Sequence, residues 1–479
     1  MNNKKKIYLA LTLFLSVVLV FGIWFMFDNK ENTLNDYDNS NYYIAAFIDG
    51  ELSSTFPTTK DYIADVTCKK GSAEVNIGAK VAWTGTKWKL SVDDASVSDV
   101  ACNIRFVTKP TWSNPGTGTL LAAIKSSNTV KSPSTTPGST FSTSTEKVLA
   151  STSDDYGTSY YFRGAVTNNF VEYANMCWRI VRVTGDGSIK LVLYNYNGLT
   201  DSNNTPSSST PCNVTGNDYA FARYEGDTYK SAFNSSINDN AYVGLMYGTA
   251  GASSYAVAHA NTNASTILTN LNKWYTNVLS KQSNFSDSQL ADTIWCNDKS
   301  VVTDTTFNPS RYTLGTNYGY GTNKNYYSAT KRLVKASSWS AGGTGPSLIC
   351  PNDNNGGKLS KFTVSDTEYG NGALGGYAKV GLLTADEIAF AGGAYGTTNF
   401  TYYLKGNTNS SGWCALSPND FNGNGAFVWV VSGDDGNLVL VDGYVVGILG
   451  GRPSLSLQSG VKISTSGNGS ATSPYKIAG

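Results

Sequence analysis

The chain carries one histidine, His259, in 479 residues. That scarcity excludes multi-histidine metal centres and most histidine-based acid–base catalysis. Charge is also sparse: Asp, Glu, Lys and Arg make up 15% of the chain, below the usual quarter. The formal net charge of +1 gives no field to gather nucleic acid. No two of the seven cysteines stand at C-x-x-C spacing, which argues against zinc knuckles and thioredoxin-like redox pairs. Neither a metal nor a cofactor is expected. Gly (48) and Tyr (30) are plentiful, together with Ser, Thr and Asn, a composition that suits strands and loops in an extracellular protein.

Against this polar background Ile7 to Phe27 is one unbroken apolar run behind Lys4, Lys5 and Lys6, long enough to cross a bilayer as a helix of about 20 residues. It ends in Trp24, Phe25, Met26 and Phe27 with no small-x-small cleavage site, so an uncleaved anchor is expected. The lysine bias keeps residues 1–6 inside and sends the bulk of the chain outside. The expected location is the cell membrane, single-pass, with residues 28–41 as a polar tether. All seven cysteines follow the run, and wide spacing outside the cell reads as disulfides. Cys68 with Cys102 closes a loop of about 34 residues, a span worth roughly 3 to 4 kcal/mol. Cys296 with Cys350 and Cys177 with Cys212 are the other expected pairs, and Cys414 is left over.

Residues 42–109 alternate apolar and polar side chains between turn signals, as in Tyr43 to Ile48 before Asp49-Gly50 and Lys80 to Trp83 before Trp88 to Val92. A period of two predicts a small all-β domain, a sandwich closed by Cys68 and Cys102 because its core is marginal for its size. Residues 110–146 shift to Ser, Thr, Pro and Gly and read as a linker, interrupted at Leu120 to Ile124 by a short helix that docks on the next domain. Residues 147–479 mix signals. Trp178 to Val183 and Ser188 to Leu193 flank a glycine turn as a hairpin, and Ile267, Leu268, Leu271, Trp274, Tyr275, Val278 and Leu279 share one helix face. Capping boxes at Ser286-x-x-Gln289 and Thr384-x-x-Glu387 open two more helices. Because strands and helices do not alternate regularly, the predicted class of this head is α+β.

Few motifs carry chemistry. Asp420-x-Asn422-x-Asn424-Gly425 begins like a calcium loop, but Val431 stands where a bidentate glutamate is required, so a turn is expected. Asn297-Asp298 lacks the partner motif of a calcium lectin. Gly370-x-Gly372-x-x-Gly375 matches a dinucleotide pattern by spacing alone. Asp386 and Glu387 fall in the first turn of a helix, where capping and the helix dipole explain them. His259 has no sequence neighbour suited to catalysis and reads as structural. Arg452 before Pro453 reads as a buried or edge ion pair that orients the last strand.

The segments YYFRGAV, CWRIVRVTGDGSIKLVL, AYVGLMYG, HANTN, GLLTADEIAFAGG, WCALSP, GRPSLSL and the terminal SATSPYKI resemble a family of uncharacterised surface proteins from Gram-positive-type gut bacteria. The tail, Leu-Ser-Pro, an alternating strand, a variable loop and then Arg-Pro with alternating leucines, is similar to C-type-lectin-like domains, including the formylglycine-generating enzyme fold. That resemblance implies a C-type-lectin-like head that displays its ligand contacts between the Leu-Ser-Pro and Arg-Pro strands. In this sequence the interval holds Trp429, Asp434, Asp435, Asn437, Asp442 and Tyr444. Cys414 departs from the aromatic residue that similar sequences carry, and the enzyme's cysteine arrangement has no counterpart, so catalysis is not implied. The expected function is that of a membrane-anchored, non-enzymatic adhesin or receptor that recognises a glycan or a surface protein through this displayed loop. The competing expectations are an enzyme acting on cell-wall or glycan substrates, which would need paired carboxylates facing a cleft, and a structural surface component.

Overall fold

The computed structural model describes residues 42–84, 86–94, 96–139, 146–309, 319–351, 361–362, 379–439, 443–465 and 467–479. They form two compact units that divide between Lys109 and Pro110.

The first unit is a five-stranded sheet ordered Glu51–Ser53, Tyr42–Ile48, Val100–Thr108, Tyr62–Lys70, Ala73–Glu74. Tyr42–Ile48 runs parallel to Val100–Thr108, and Tyr62–Lys70 runs antiparallel to it. Burial alternates along the central strand, with Val100, Cys102, Ile104 and Phe106 inside, as a half-buried strand requires. The hairpin Lys80–Trp83 and Trp88–Ser91 adds Trp88 and Leu90 to the core of Ile44, Ala46, Phe56, Ile104 and Phe106. Trp88 packs edge-on to Phe106 at 5.2 Å, and its indole N–H donates to Thr59 O at 2.8 Å. Cys68 and Cys102 are direct cross-strand partners and are disulfide-bonded.

In the second unit the main sheet runs Ser454–Leu457, Ile189–Asn195, Met176–Val183, Phe170–Tyr173, Tyr475–Ile477, Ile463–Thr465, and Gly157–Gly164 joins Met176–Val183 to Lys147–Asp154. The predicted glycine-turn hairpin is its centre. Every residue of Met176–Val183 and Ile189–Asn195 is buried, the pattern of strands covered on both faces. A second sheet runs Lys230–Ala232, Ile448–Gly450, Trp413–Phe421, Ala426–Val431, Leu438–Val439, with Asn325–Tyr326 paired to Trp413–Phe421. One core joins both sheets through the fully buried Trp178, Trp274, Trp413 and Trp429.

Three expectations need correction. The α+β assignment, with its C-type-lectin-like head, gives way to a mostly β arrangement that is only 14% helical among the described residues; the longest described helix is Thr266–Asn277, of 12 residues. The capping box at Ser286 forms, yet it opens only a three-residue 3-10 turn, Asp287–Gln289. Leu290 then leaves in extended conformation and bridges to Leu457, so strand pairing takes the chain that the cap began to coil. Within residues 110–146 the expected docking helix is present: Leu120–Ser127, capped by Thr119, buries Leu120, Leu121 and Ile124 in the head, and Val130 bridges to Leu149. Finally, the anchor read at Ile7 to Phe27 lies outside the described residues, and among those described no helix is long and apolar enough to cross a membrane. The single-pass membrane placement with an extracellular bulk is therefore withdrawn.

The disulfides Cys177–Cys212 and Cys296–Cys350 are present as expected, and Cys414 is a buried free thiol.

Candidate functional site

Two places in the head could carry function: a charged cavity under the helix Ala385–Ala391, and an apolar turn on the second sheet. The cavity begins with Thr384, whose side chain accepts from Glu387 N at 3.0 Å while Glu387 Oε2 accepts from Thr384 N at 3.0 Å. This capping box turns the helix so that Asp386 and Glu387 point into the protein, where they are 2% and 3% exposed. Glu387 accepts from Arg182 Nε at 3.0 Å and from Lys190 Nζ at 2.8 Å. Arg182 also donates to Asp154 at 2.7 Å. Arg332 lies 2.7 Å from Asp386 and 2.8 Å from Asp298.

Four buried carboxylates thus meet three cations. Burial alone would raise the Glu387 carboxyl, but Lys190 and Arg182 outweigh it and hold the group down to about 2. A carboxyl so fixed is no proton donor at neutral pH, since a general acid must keep its proton near the working pH. The space between these groups is about 20 Å³, room for about one water. Carboxylates converge here, as hydrolysis would require, but each is neutralised by a cation and no substrate fits.

The other candidate positions are structural. His259 is fully buried; burial and the Lys299 ammonium hold its imidazole well below the ordinary value, hence neutral. Asn422 Oδ1 accepts from Asn424 N and Gly425 N at 2.9 and 3.0 Å, so the calcium-like motif is a turn. Asn297 is spent on Leu245 N and Met246 O, and Asp298 on Arg332. Among the described residues no group of three or more potential ligands could hold a metal ion. Gly370, Gly372 and Gly375 lie outside the described residues.

Of the six residues expected to form one binding face, the five that are described do not come together. Trp429 is fully buried, because Ala426–Val431 is covered on both sides. Asp435 Oδ1 accepts from Asn437 N at 3.1 Å, and Ser432 N donates to Asn437 O. Asp434, Asp435 and Asn437 therefore build the turn that follows this strand, closed at Gly436 with φ 71°. Asp442 lies outside the described residues. Tyr444 bridges to Phe427 at the strand's other end, and the four residue steps from Phe427 to Val431 span about 13 Å.

What surrounds Tyr444 is a different surface. Gly447 N donates to Tyr444 O at 2.8 Å, closing a β-turn that sends Val445 into the core and leaves Tyr444 and Val446 exposed at 39% and 38%, beside Ile448 at 61%. The Tyr444 ring lies 4.1 Å from that of Phe427. On its other side it covers Gly425, where an added Cβ would meet the ring at 2.5 Å. Three of the ten large apolar side chains exposed among the described residues thus fall within five positions, far denser than scattered surface apolars. The signal in the sequence is Tyr-Val-Val-Gly-Ile at 444–448: a turn made of apolar residues where Gly, Asn, Asp or Ser is usual. Phe427, Val446 and Ile448 escaped a reading that sought polar groups around aromatic rings.

Comparison with protein-family models, with curated proteins and with solved structures returned no match.

Proposed function

We propose that this chain is a binding protein, not an enzyme, and that its head recognises a protein surface through the apolar turn 444–448. The observation that supports this reading most is the clustering of Tyr444, Val446 and Ile448 in solvent, backed by Phe427, on a β-sheet whose inner face is core. Aromatic and aliphatic side chains on a rigid support make large contacts at low entropic cost. A protein partner fits better than a glycan because Val446 and Ile448 offer no flat ring for a sugar, and the carboxylate of Asp435 is engaged within its own turn. Hydrolysis is the weaker reading, since the converging carboxylates leave space for only one water.

The test places a photo-crosslinking amino acid at Val446 of the full chain in the cells that make it, with a second at exposed Lys131 as control. A discrete adduct is expected from position 446 only, competed by added wild-type protein and lost in the pair Tyr444→Ala and Ile448→Ser. Equal labelling from both positions, or an adduct indifferent to that pair, removes this surface from consideration.

A further inference from the structure

Arg452 and Arg179 are two guanidiniums inside the head, 0% and 4% exposed. Arg452 donates from Nε to Leu193 O at 3.1 Å and from Nη1 to Leu404 O, and lies 5.0 Å from the centre of the Trp413 ring. Arg179 donates to Asn169 Oδ1 and to Val166 O, both at 2.7 Å. It sits 3.8 Å over Phe170 and 5.2 Å from the centre of Tyr403. The expected ion pair at Arg452 does not form: all these partners are neutral, and among the described residues neither arginine has a carboxylate within ion-pair distance.

The two cations also act on one another. Leu404, whose carbonyl accepts from Arg452, follows Tyr403 in the chain, and the Tyr403 ring lies 5.2 Å from Arg179, so the two cations share one neighbourhood, where the charge of Arg452 lowers the proton affinity of Arg179. The Glu387 carboxylate also reaches Tyr403 electrostatically, but it is already committed to Arg182 and Lys190. Within this neighbourhood Arg452 Nη2, Tyr403 Oη and Trp413 Nε1 are buried without a hydrogen-bond partner. Each can donate, and what the cluster lacks is an acceptor. Unsatisfied buried donors and uncompensated buried charge are both costly, and one small anion answers both.

We infer that the head binds one monovalent anion of halide size in its core, beside Arg452 Nη2 and the Tyr403 hydroxyl, between the two guanidiniums. A water would satisfy the donors but leave the two positive charges uncompensated, so chloride is the species that the site favours. Bound only by the folded state, the anion stabilises the fold by mass action.

Thermal unfolding of the full chain in sodium chloride and in sodium gluconate at matched ionic strength tests this. The midpoint is expected to rise by roughly 2 °C for each tenfold of chloride above its dissociation constant and to stay level in gluconate. Tyr403→Phe, which removes one donor and little volume, should weaken the chloride response while the variant remains folded. Crystals grown in bromide should show an anomalous peak beside Arg452. Identical midpoints in the two salts, a chloride response unchanged in Tyr403→Phe, or bromide crystals without that peak would each overturn the inference.

Discussion

At Glu387 two cations and a helix cap meet on one carboxylate, and two measurable consequences follow. Glu387→Gln leaves Lys190 and Arg182 with uncompensated charge in a site that water barely enters, and breaking a buried pair on one side typically costs about 3 to 5 kcal/mol. Urea denaturation should show a loss of that size, and a loss below 1 kcal/mol would mean that solvent reaches the cavity. The pH dependence has a definite sign. Glu387 binds its proton more weakly folded, at about 2, than at its ordinary value of 4.5, so its stabilisation is complete above 4.5 and is lost as pH falls toward 2. The acid limb of the stability curve should therefore be shallower in Glu387→Gln than in wild type. Cys414 behaves in the opposite way: burial pushes its thiol up to about 12, where the reactive thiolate is essentially absent at neutral pH. Ellman's reagent should find no thiol in native protein and one after unfolding without reductant.

Among the elements, the first unit depends most on a single covalent link. Its core is small, and the bond joins two strands of one sheet. Replacing Cys68 and Cys102 with serine should destabilise this unit by about 3 kcal/mol, read from the fluorescence of Trp83 and Trp88, while the head keeps its own transition. The strands of this unit were legible in the sequence because one face is wet, and burial along Val100–Thr108 alternates with a period of two. In the head that signal fails. Strands covered on both sides carry no alternation, so nothing in the run from Ala426 to Val431 marks Trp429 as an inward residue. Capping boxes at Thr384 and Ser286 were legible because they are local chemistry. How far each helix runs depends on which distant strand competes for the chain, as Leu457 does for Leu290. The candidate site was legible only at Tyr444, since the reading treated neighbours along the chain as neighbours in space, and the length of one strand separates its two halves.

For the molecule as a whole, the proposed recognition surface and the core sit in different places, so the two roles should be separable. The turn 444–448 rests on the sheet with its exposed side chains outside the core, so Val446→Ser with Ile448→Ser should change the unfolding midpoint little, within about 0.5 kcal/mol for each. Added as competitor, the same pair should fail to displace the adduct formed at position 446, which added wild-type protein displaces. Loss of the fold in that pair would show instead that the apolar turn is structural.

The pairing order of the main sheet sets a timetable for biosynthesis. Phe170–Tyr173 and Ile189–Asn195 emerge well before their neighbours Tyr475–Ile477 and Ser454–Leu457, which are made only after every strand of the second sheet. For most of translation those early strands have bare edges, the condition in which nascent chains bind to one another. Ribosome-stalled chains ending before Ser454 should therefore be the ones that recruit chaperones, and emergence of the chain through Ile477 should end that dependence.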